Sequence, residues 1–393
     1  MHATHLKCPA CGWTGPKAMT YACPKCGYSL DVAYDYDAVD RDEVAQVLRG
    51  HATVWSFRQL LPVCDEANIV SLNEGGTPLV PAIRIGKRMG VHLHMKDETR
   101  NPTLSFKDRP NSVGISVARE LGCKTIAIAS TGNGAASLSA YAARAGMPCN
   151  VVIPVSTPSG KLVQSLYHGA NTIRVEGDYS ASFRKAAALC AENGWANLTS
   201  TYVNPYTLEG DKTIAYEIYG SLGKVPDWIV VPLGAGPMLT GIYKGFVELK
   251  LLGLCDKLPK MLGVQACGCA PIIDAFLRGD DRVEPWLHTS TVADAIADPL
   301  TGYEMDGTRT ARSIRTSGGY AVKLTDEAIM AAVAELARDE AMFVEPASAA
   351  SVAAVDDAMQ KGVVKQGETV VSIVTAHGLK DVAELLHAYE KQH

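Results

Sequence analysis

The stretch 125-TIAIASTGNGAASLSAYAARAG-146 decides the fold. It opens on a short apolar run of strand type, turns through small residues, and continues as an Ala-rich helical segment. The same order recurs outward from it. Further strand-like runs are 91-VHLHM-95, 149-CNVVI-153, 171-NTIRV-175, 228-WIVV-231, 262-LGVQ-265 and 369-TVVSIV-374, and helical patterns lie between them, as in 112-SVGISVARELG-122 and 180-SASFRKAAALCAEN-193. Buried strands that alternate with helices predict an α/β fold with parallel sheets covered on both faces. In such folds ligands collect at the carboxyl ends of strands and the N-termini of helices, so the chemistry is expected in strand-to-helix turns.

Composition narrows the class. The chain has 393 residues, is 47% hydrophobic and 20% charged, and carries a net charge of −5. It can bury a sizeable core, and its length predicts two or three domains. No block of Lys or Arg suits a nucleic-acid or polybasic membrane partner. The apolar runs are far shorter than the roughly 18 residues of a membrane span, and no apolar signal segment opens the chain, so a cytoplasmic protein is expected. Eleven cysteines, an odd number, argue against a secreted disulfide framework.

Four of those cysteines form two knuckles, 8-CPAC-11 and 23-CPKC-26, each followed by a glycine. Paired CxxC knuckles let four thiolates converge on one soft ion, so Cys8, Cys11, Cys23 and Cys26 predict a structural zinc that staples about thirty residues too few to build a core. With all four positions filled the ion has no open site for catalysis. Of the scattered cysteines, Cys64, Cys149, Cys190 and Cys255 read as small core residues, and Cys267 and Cys269 as structural ones. The segment 31–48 reads as a polar connector running into a helix.

Three turns carry candidate chemistry. In 96-KDETRNPTLSFKDRPN-111, Lys107 falls at a helix start, where the helix dipole disfavours its ammonium form. A lysine partly neutral near pH 7 can bond an aldehyde, although a surface lysine in a charged turn has the same local sequence. The turn 129-ASTGNGAAS-137 exposes backbone N–H groups beside Ser130, Thr131 and Asn133, which suits gripping a carboxylate. The turn 232-PLGAGPMLTG-241 suits a phosphate, or simply close packing.

Together SFKDR, STGN, VNPYTLEGDKT, EPASAAS and TAHGLKD, in this order, resemble threonine synthase and its relatives among the fold-type II pyridoxal-phosphate enzymes. The likeness runs from about residue 5 to 385. It implies a zinc ribbon and connector over 1–40, a large cofactor-binding lobe from 41–90 and 180–393, and a small lobe over 91–179. It also implies pyridoxal 5'-phosphate as cofactor, held covalently by Lys107, with Asn133 at its phenolic oxygen, Thr375 beside its pyridine nitrogen, and Gly234, Ala235, Gly236, Met238 and Leu239 at its phosphate. A neutral hydroxyl beside that nitrogen favours elimination or replacement over transamination on the family's logic. Ser130, Thr131, Gly132 and Gly134 would bind the carboxylate of an amino-acid substrate, and Thr201, Tyr202 and Thr207 its side chain. The family's relatives lead to the expectation of a homodimer.

The chain departs from the family at three places. Threonine synthases typically read STGNT, where Gly134 stands here, and their phosphate turn lacks a proline at the place of Pro237. They commonly read NSVNPxRLEGQKT, whereas this chain has 200-STYVNPYTLEGDKT-213, with Thr207 in place of the arginine. A hydroxyl there forfeits the bidentate, charge-assisted grip on a phosphate dianion. The expected activity is therefore that of a threonine synthase-like lyase acting at Cβ or Cγ of a non-phosphorylated amino acid. Two alternatives stand beside it. One is threonine synthase itself, converting phosphohomoserine, with phosphate contacts from Lys161, Arg184, Arg312 or Arg315; the other is a catalytically silent homologue that docks onto a partner.

Overall fold

A computed structural model describes residues 2–392. The chain divides into two compact units: one comprises Met1–Gly76, Asn101–Glu217 and Leu251–Leu254, and the other Thr77–Arg100, Ile218–Lys250 and Cys255–His393. Both are α/β.

The first unit holds a four-stranded parallel sheet in the order Asn171–Val175, Cys149–Pro154, Ile126–Ala129, Ala196–Asn197. Helices Asp108–Glu120 and Asn133–Ala145 contribute Ile115, Ala118, Ala135, Leu138 and Tyr141 to its main core, and Ala186 of helix Tyr179–Asn193 packs against Ala129 and Val152. The unit also carries a small antiparallel sheet in which Ala3–Lys7 pairs with both Thr14–Gly15 and Asp31–Tyr34.

The second unit is built on a six-stranded sheet in the order Tyr320–Leu324, Lys260–Ala266, Trp228–Pro232, Thr369–Val374, His92–Asp97, Leu79–Pro81. All its pairings are parallel except the last, at the short edge strand. Its core is apolar and branched, with Val230, Leu262, Val264, Val322, Val370 and Val374 fully or nearly fully buried.

All seven expected strands form, within a residue or two at their ends. Three expectations differ. Residues 31–34 of the connector are a strand rather than linker, because they close the small sheet against Ala3–Lys7. The units divide at other residues than the expected lobes. Strand Ala196–Asn197 and helix Tyr179–Asn193 complete the sheet of the first unit, and His92–Asp97 pairs with Thr369–Val374 in the second. The ribbon is not a separate domain either, since Leu6, Tyr28, Leu30 and Val32 share one apolar cluster with Val63, Val117 and Tyr206. Cysteines are the third. Cys149 and Cys190 are buried as expected, but Cys64 and Cys267 are exposed and Cys255 is half-buried, so none of these three is a core residue. No helix among the described residues is long and apolar enough to cross a membrane.

Candidate active site and metal centre

The four knuckle cysteines come together. Their Sγ atoms all lie within 4.8 Å of one another, with Cys8 and Cys26 at 3.5 Å and Cys11 and Cys23 at 3.6 Å. A tetrahedral ion with Zn–S bonds of about 2.3 Å separates its sulfurs by roughly 3.8 Å, so the donor set fits a metal of that kind. The knuckles close through Gly12 N–H to the Cys8 carbonyl and Gly27 N–H to the Cys23 carbonyl, with φ of +74° and +73° at the two glycines. The sulfurs are electrostatically unequal. Desolvation opposes the Cys23 thiolate, but the amides of Lys25 and Cys26 outweigh it and lower that thiol to about 7. At Cys26 the Tyr28 amide favours the thiolate, yet desolvation and the three neighbouring sulfurs push it up to about 12. Four sulfurs this close compete for negative charge until a cation compensates them.

The ribbon backs the 200–213 segment. Tyr206 donates its hydroxyl to the Ala18 carbonyl at 2.9 Å, and the Asn197 amide donates to Tyr21 Oη at 2.8 Å. Tyr34 donates to Glu209 at 2.8 Å, and the fully buried Lys212 pairs with the same carboxylate at 2.6 Å and lies over the Tyr34 ring. Thr207 is buried, and its hydroxyl donates to the Asn204 carbonyl at 2.9 Å. A Cβ placed on Gly114 would stand 3.1 Å from the Thr207 methyl, so that methyl packs against the Lys107 helix. Thr201 and Tyr202 are also buried, and Thr201 Oγ1 accepts from the Val203 amide.

Lys107 occupies the N-cap of helix Asp108–Glu120, as its position in the sequence predicts, with its ammonium 4.6 Å from the Phe106 ring centre. Two tethers bring that helix start to the STGNG turn. Asn111 donates to the Gly134 carbonyl at 3.2 Å. Buried Asp108 accepts from Ser137, one turn into the next helix, and from the Thr103 hydroxyl and amide, all within 2.7 Å. Burial raises the Asp108 carboxyl to about 6 despite these bonds. Ser130, Thr131, Gly132 and Asn133 are half-exposed at the N-terminus of helix Asn133–Ala145, so the turn is open to a ligand. Ser130 Oγ caps the Ala135 amide, and a Cβ at Gly134 would stand only 2.8 Å from that oxygen, which accounts for glycine here. The Ala129 amide donates to Thr199, which places the 199–201 segment beside the same turn. Ser105 Oγ, two residues before Lys107, is buried without a hydrogen-bond partner, and so is Ser200 Oγ. Buried hydroxyls without partners are uncommon, and these two suit a site that takes a polar ligand.

In the second unit the 232–241 turn and Thr375 end neighbouring parallel strands, Trp228–Pro232 and Thr369–Val374. The turn opens helix Pro237–Leu251 with Pro237 as its first residue, where a missing N–H costs least. Gly236 adopts φ +93°, and Thr310 fills the space a Cβ would need there, donating to the Ala235 carbonyl at 2.6 Å. Helix-start amides behind a glycine turn of this kind fit a phosphate, although the turn itself is mostly buried. Thr375 Oγ1 lies 2.8 Å from Ser348 Oγ and 3.3 Å from the buried carboxylate of Glu345. Arg315, weighed above as a phosphate contact, instead donates to the Asp280 and Ala275 carbonyls, while Arg312 is exposed.

Sequence reasoning missed Asp108, Glu345 and Ser348, which lie inside quoted motifs without an assigned role, and Thr310, for which no local signal exists because it lies 75 residues from Ala235.

Comparison with known proteins agrees with this arrangement. The family model described as pyridoxal-phosphate dependent enzyme matches residues 70–376. Among curated proteins, the chain is 43% identical to threonine synthase of Methanosarcina acetivorans, covering 98% of this chain and 95% of that one. It is 40% identical to threonine synthase of Methanocaldococcus jannaschii over the same shares. Among solved structures, maize serine racemase superposes with a TM-score of 0.70 at 21% identity, covering 87% of this chain and 98% of that one. The processed threonine deaminase isoform 2 of Solanum lycopersicum gives 0.67 at 21%, covering 90% and 94%. These last two speak for the fold alone. The chain belongs to the pyridoxal-phosphate dependent enzymes, in the branch that includes the threonine synthases, and is a lyase of that family.

Proposed function

We propose that this enzyme eliminates or replaces a group at Cβ or Cγ of an amino acid whose leaving group is not a phosphate. The observation that carries the substrate part is Thr207. A buried threonine, its hydroxyl bonded to the Asn204 carbonyl, stands where relatives commonly have arginine, so no guanidinium is supplied from this position to pair with a dianion. A second reading, threonine synthase acting on phosphohomoserine, is favoured by the 43% identity over 98% of the chain, and would need Lys161 or Arg184 to hold the phosphate.

In either reading pyridoxal phosphate, when bound, supplies an electron sink for the negative charge that develops at the substrate Cα. The chain's own residues do the rest. Lys107 would hold the cofactor and then move the Cα proton, and Asn133 would bond its phenolic oxygen. The amides of Gly234, Ala235, Gly236, Met238 and Leu239 would hold its phosphate. Thr375 would meet the pyridine nitrogen with a hydroxyl that Ser348 and Glu345 orient. Ser130, Thr131, Gly132 and Gly134 would grip the substrate carboxylate, leaving Thr201, Tyr202 and Thr207 as a neutral wall toward its side chain. The ion in the ribbon would be zinc, held by Cys8, Cys11, Cys23 and Cys26 as a structural staple.

A panel of amino acids with different leaving groups, assayed for 2-oxo acid and ammonia, tests the class of reaction. Turnover of a non-phosphorylated member, lost in Lys107→Ala, is expected. Turnover surviving in Lys107→Ala would sink the assignment of that lysine.

A further inference from the structure

Lys17 lies in the ribbon between the two knuckles, and its ammonium is enclosed rather than solvated. Its Nζ stands 2.8 Å from Cys64 Sγ, 2.8 Å from the Pro62 carbonyl and 3.0 Å from Glu120 Oε1. The same glutamate ends the helix that begins behind Lys107, and its Oε2 accepts from the amides of Cys64 and Asp65 at 2.6 and 2.9 Å. One carboxylate thus holds amine and thiol against each other. The Lys17 and Glu120 side chains are each 13% exposed, while Cys64 is open to solvent.

A nitrogen–sulfur separation of 2.8 Å is short for a hydrogen bond, since N–H···O bonds already run about 2.9–3.0 Å and sulfur is the larger atom. It suits a span bridged by one oxygen bonded to both atoms. We propose that Lys17 and Cys64 form an oxidant-dependent N–O–S cross-link that ties the ribbon to the segment around residue 64. Glu120 takes the ammonium proton to free the amine. The amine and the thiol then react with one dioxygen: the S–H and one N–H break, an N–O and an O–S bond form, and the second oxygen leaves as water. Sulfur and nitrogen each give up two electrons, and dioxygen takes all four. Two dithiols return the four electrons and restore amine, thiol and water, so the link is reversible. It closes a chain segment whose ends are 47 residues apart, replacing a hydrogen bond by a covalent tie.

The test uses the full-length, metal-loaded enzyme, exposed to air or hydrogen peroxide and digested without reductant. Mass spectrometry should find a Lys17–Cys64 peptide pair heavier than its parts by one oxygen less two hydrogens, about 14 Da, on the oxidation ladder beside the sulfenic product. Dithiothreitol should abolish it, and it should be lost in Lys17→Arg and Cys64→Ser. Lys17→Arg keeps the charge beside Glu120 and serves as the folding control, judged by its Tm under reducing conditions. Oxidation should raise the Tm of the wild type relative to Lys17→Arg, and dithiothreitol should erase the difference. Three results would overturn the proposal: oxygen adducts on Cys64 with no linked pair, a linked pair lacking the oxygen, or the same Tm response in both proteins.

Discussion

Around Lys107 the supporting groups are buried carboxyls, and around the 234–239 turn they are hydroxyls. In the first unit Glu74, fully buried, accepts from Trp55, Ser71, the Leu72 amide, Ser112 and Tyr141, joining the 71–74 segment and Trp55 to helices Asp108–Glu120 and Asn133–Ala145. Burial chiefly, and the nearby Asp108 and Glu74 charges, push the Tyr141 phenol far up, so it stays a donor. Asp108 joins the same two helices nearer their starts, and buried Arg109 makes a bidentate pair with Glu217 at 2.6 and 2.8 Å. In the second unit Thr310 and Ser348 hold the 234–239 turn and Thr375 through neutral bonds, with the Glu345 carboxylate beside Thr375 and Asp298 beside Gly234. A charged scaffold fixes geometry firmly but is fragile to loss of a partner and to pH; a hydroxyl scaffold is neither.

The largest contrast should come from removing the metal proposed for the ribbon. Structural zinc contributes on the order of 10–16 kcal/mol in small zinc-binding peptides, so a chelator should strip amide exchange protection from Ala3–Lys7 and Asp31–Tyr34. The 234–239 turn in the other unit should keep its protection. Loss of protection in both units would show that the staple is not local.

Next in size is the Arg109–Glu217 pair. Arg109→Met should destabilise the first unit by about 3–5 kcal/mol in urea unfolding, because it leaves the Glu217 charge buried and unpaired. Adding Glu217→Leu should recover part of that loss. A cost below about 1 kcal/mol for the single change would place the pair with weak surface bridges instead.

Asp108 sets a pH effect of similar order. Its folded value of about 6 lies above the usual 3.8, so the fold favours the protonated acid. That stability is present below about pH 4 and lost as pH rises through 6, roughly 3 kcal/mol for the shift of about two units. The stability advantage of wild type over Asp108→Asn should therefore shrink between pH 4 and 7. A difference that does not change with pH would contradict burial as the cause. The smallest effect belongs to the hydroxyl side. Thr310→Ala should cost about 1 kcal/mol with no pH dependence, as expected for one neutral hydrogen bond.

Much of this was legible in the sequence, and the gaps have physical reasons. Continuous apolar runs such as 369-TVVSIV-374 announce strands buried on both faces, and five of the seven expected strands are of this kind, whereas the edge strand Asn171–Val175 is half-buried to exposed throughout. Strands such as Leu79–Pro81 and Ala196–Asn197 are too short to show a period, and Asp31–Tyr34 is hidden by acidic neighbours. Cys64 follows the apolar 60-LLPV-63 yet faces solvent, because Glu120 captures its backbone amide and that of Asp65 at the surface. Lys107 and the STGNG turn were readable as local chemistry at helix starts. Asp108–Ser137 and Thr310–Ala235 were not, because each joins residues far apart in the chain, and no local pattern reports such a pair.

The central claim is that Thr207 marks a substrate without a phosphate. The direct measurement is inorganic phosphate released when the cofactor-loaded enzyme is given phosphohomoserine, beside the panel of non-phosphorylated amino acids at equal concentration. The account predicts a kcat/KM for phosphohomoserine well below that of the best panel member. Rapid phosphate release with threonine formed in equal amount, and no faster substrate in the panel, would contradict it.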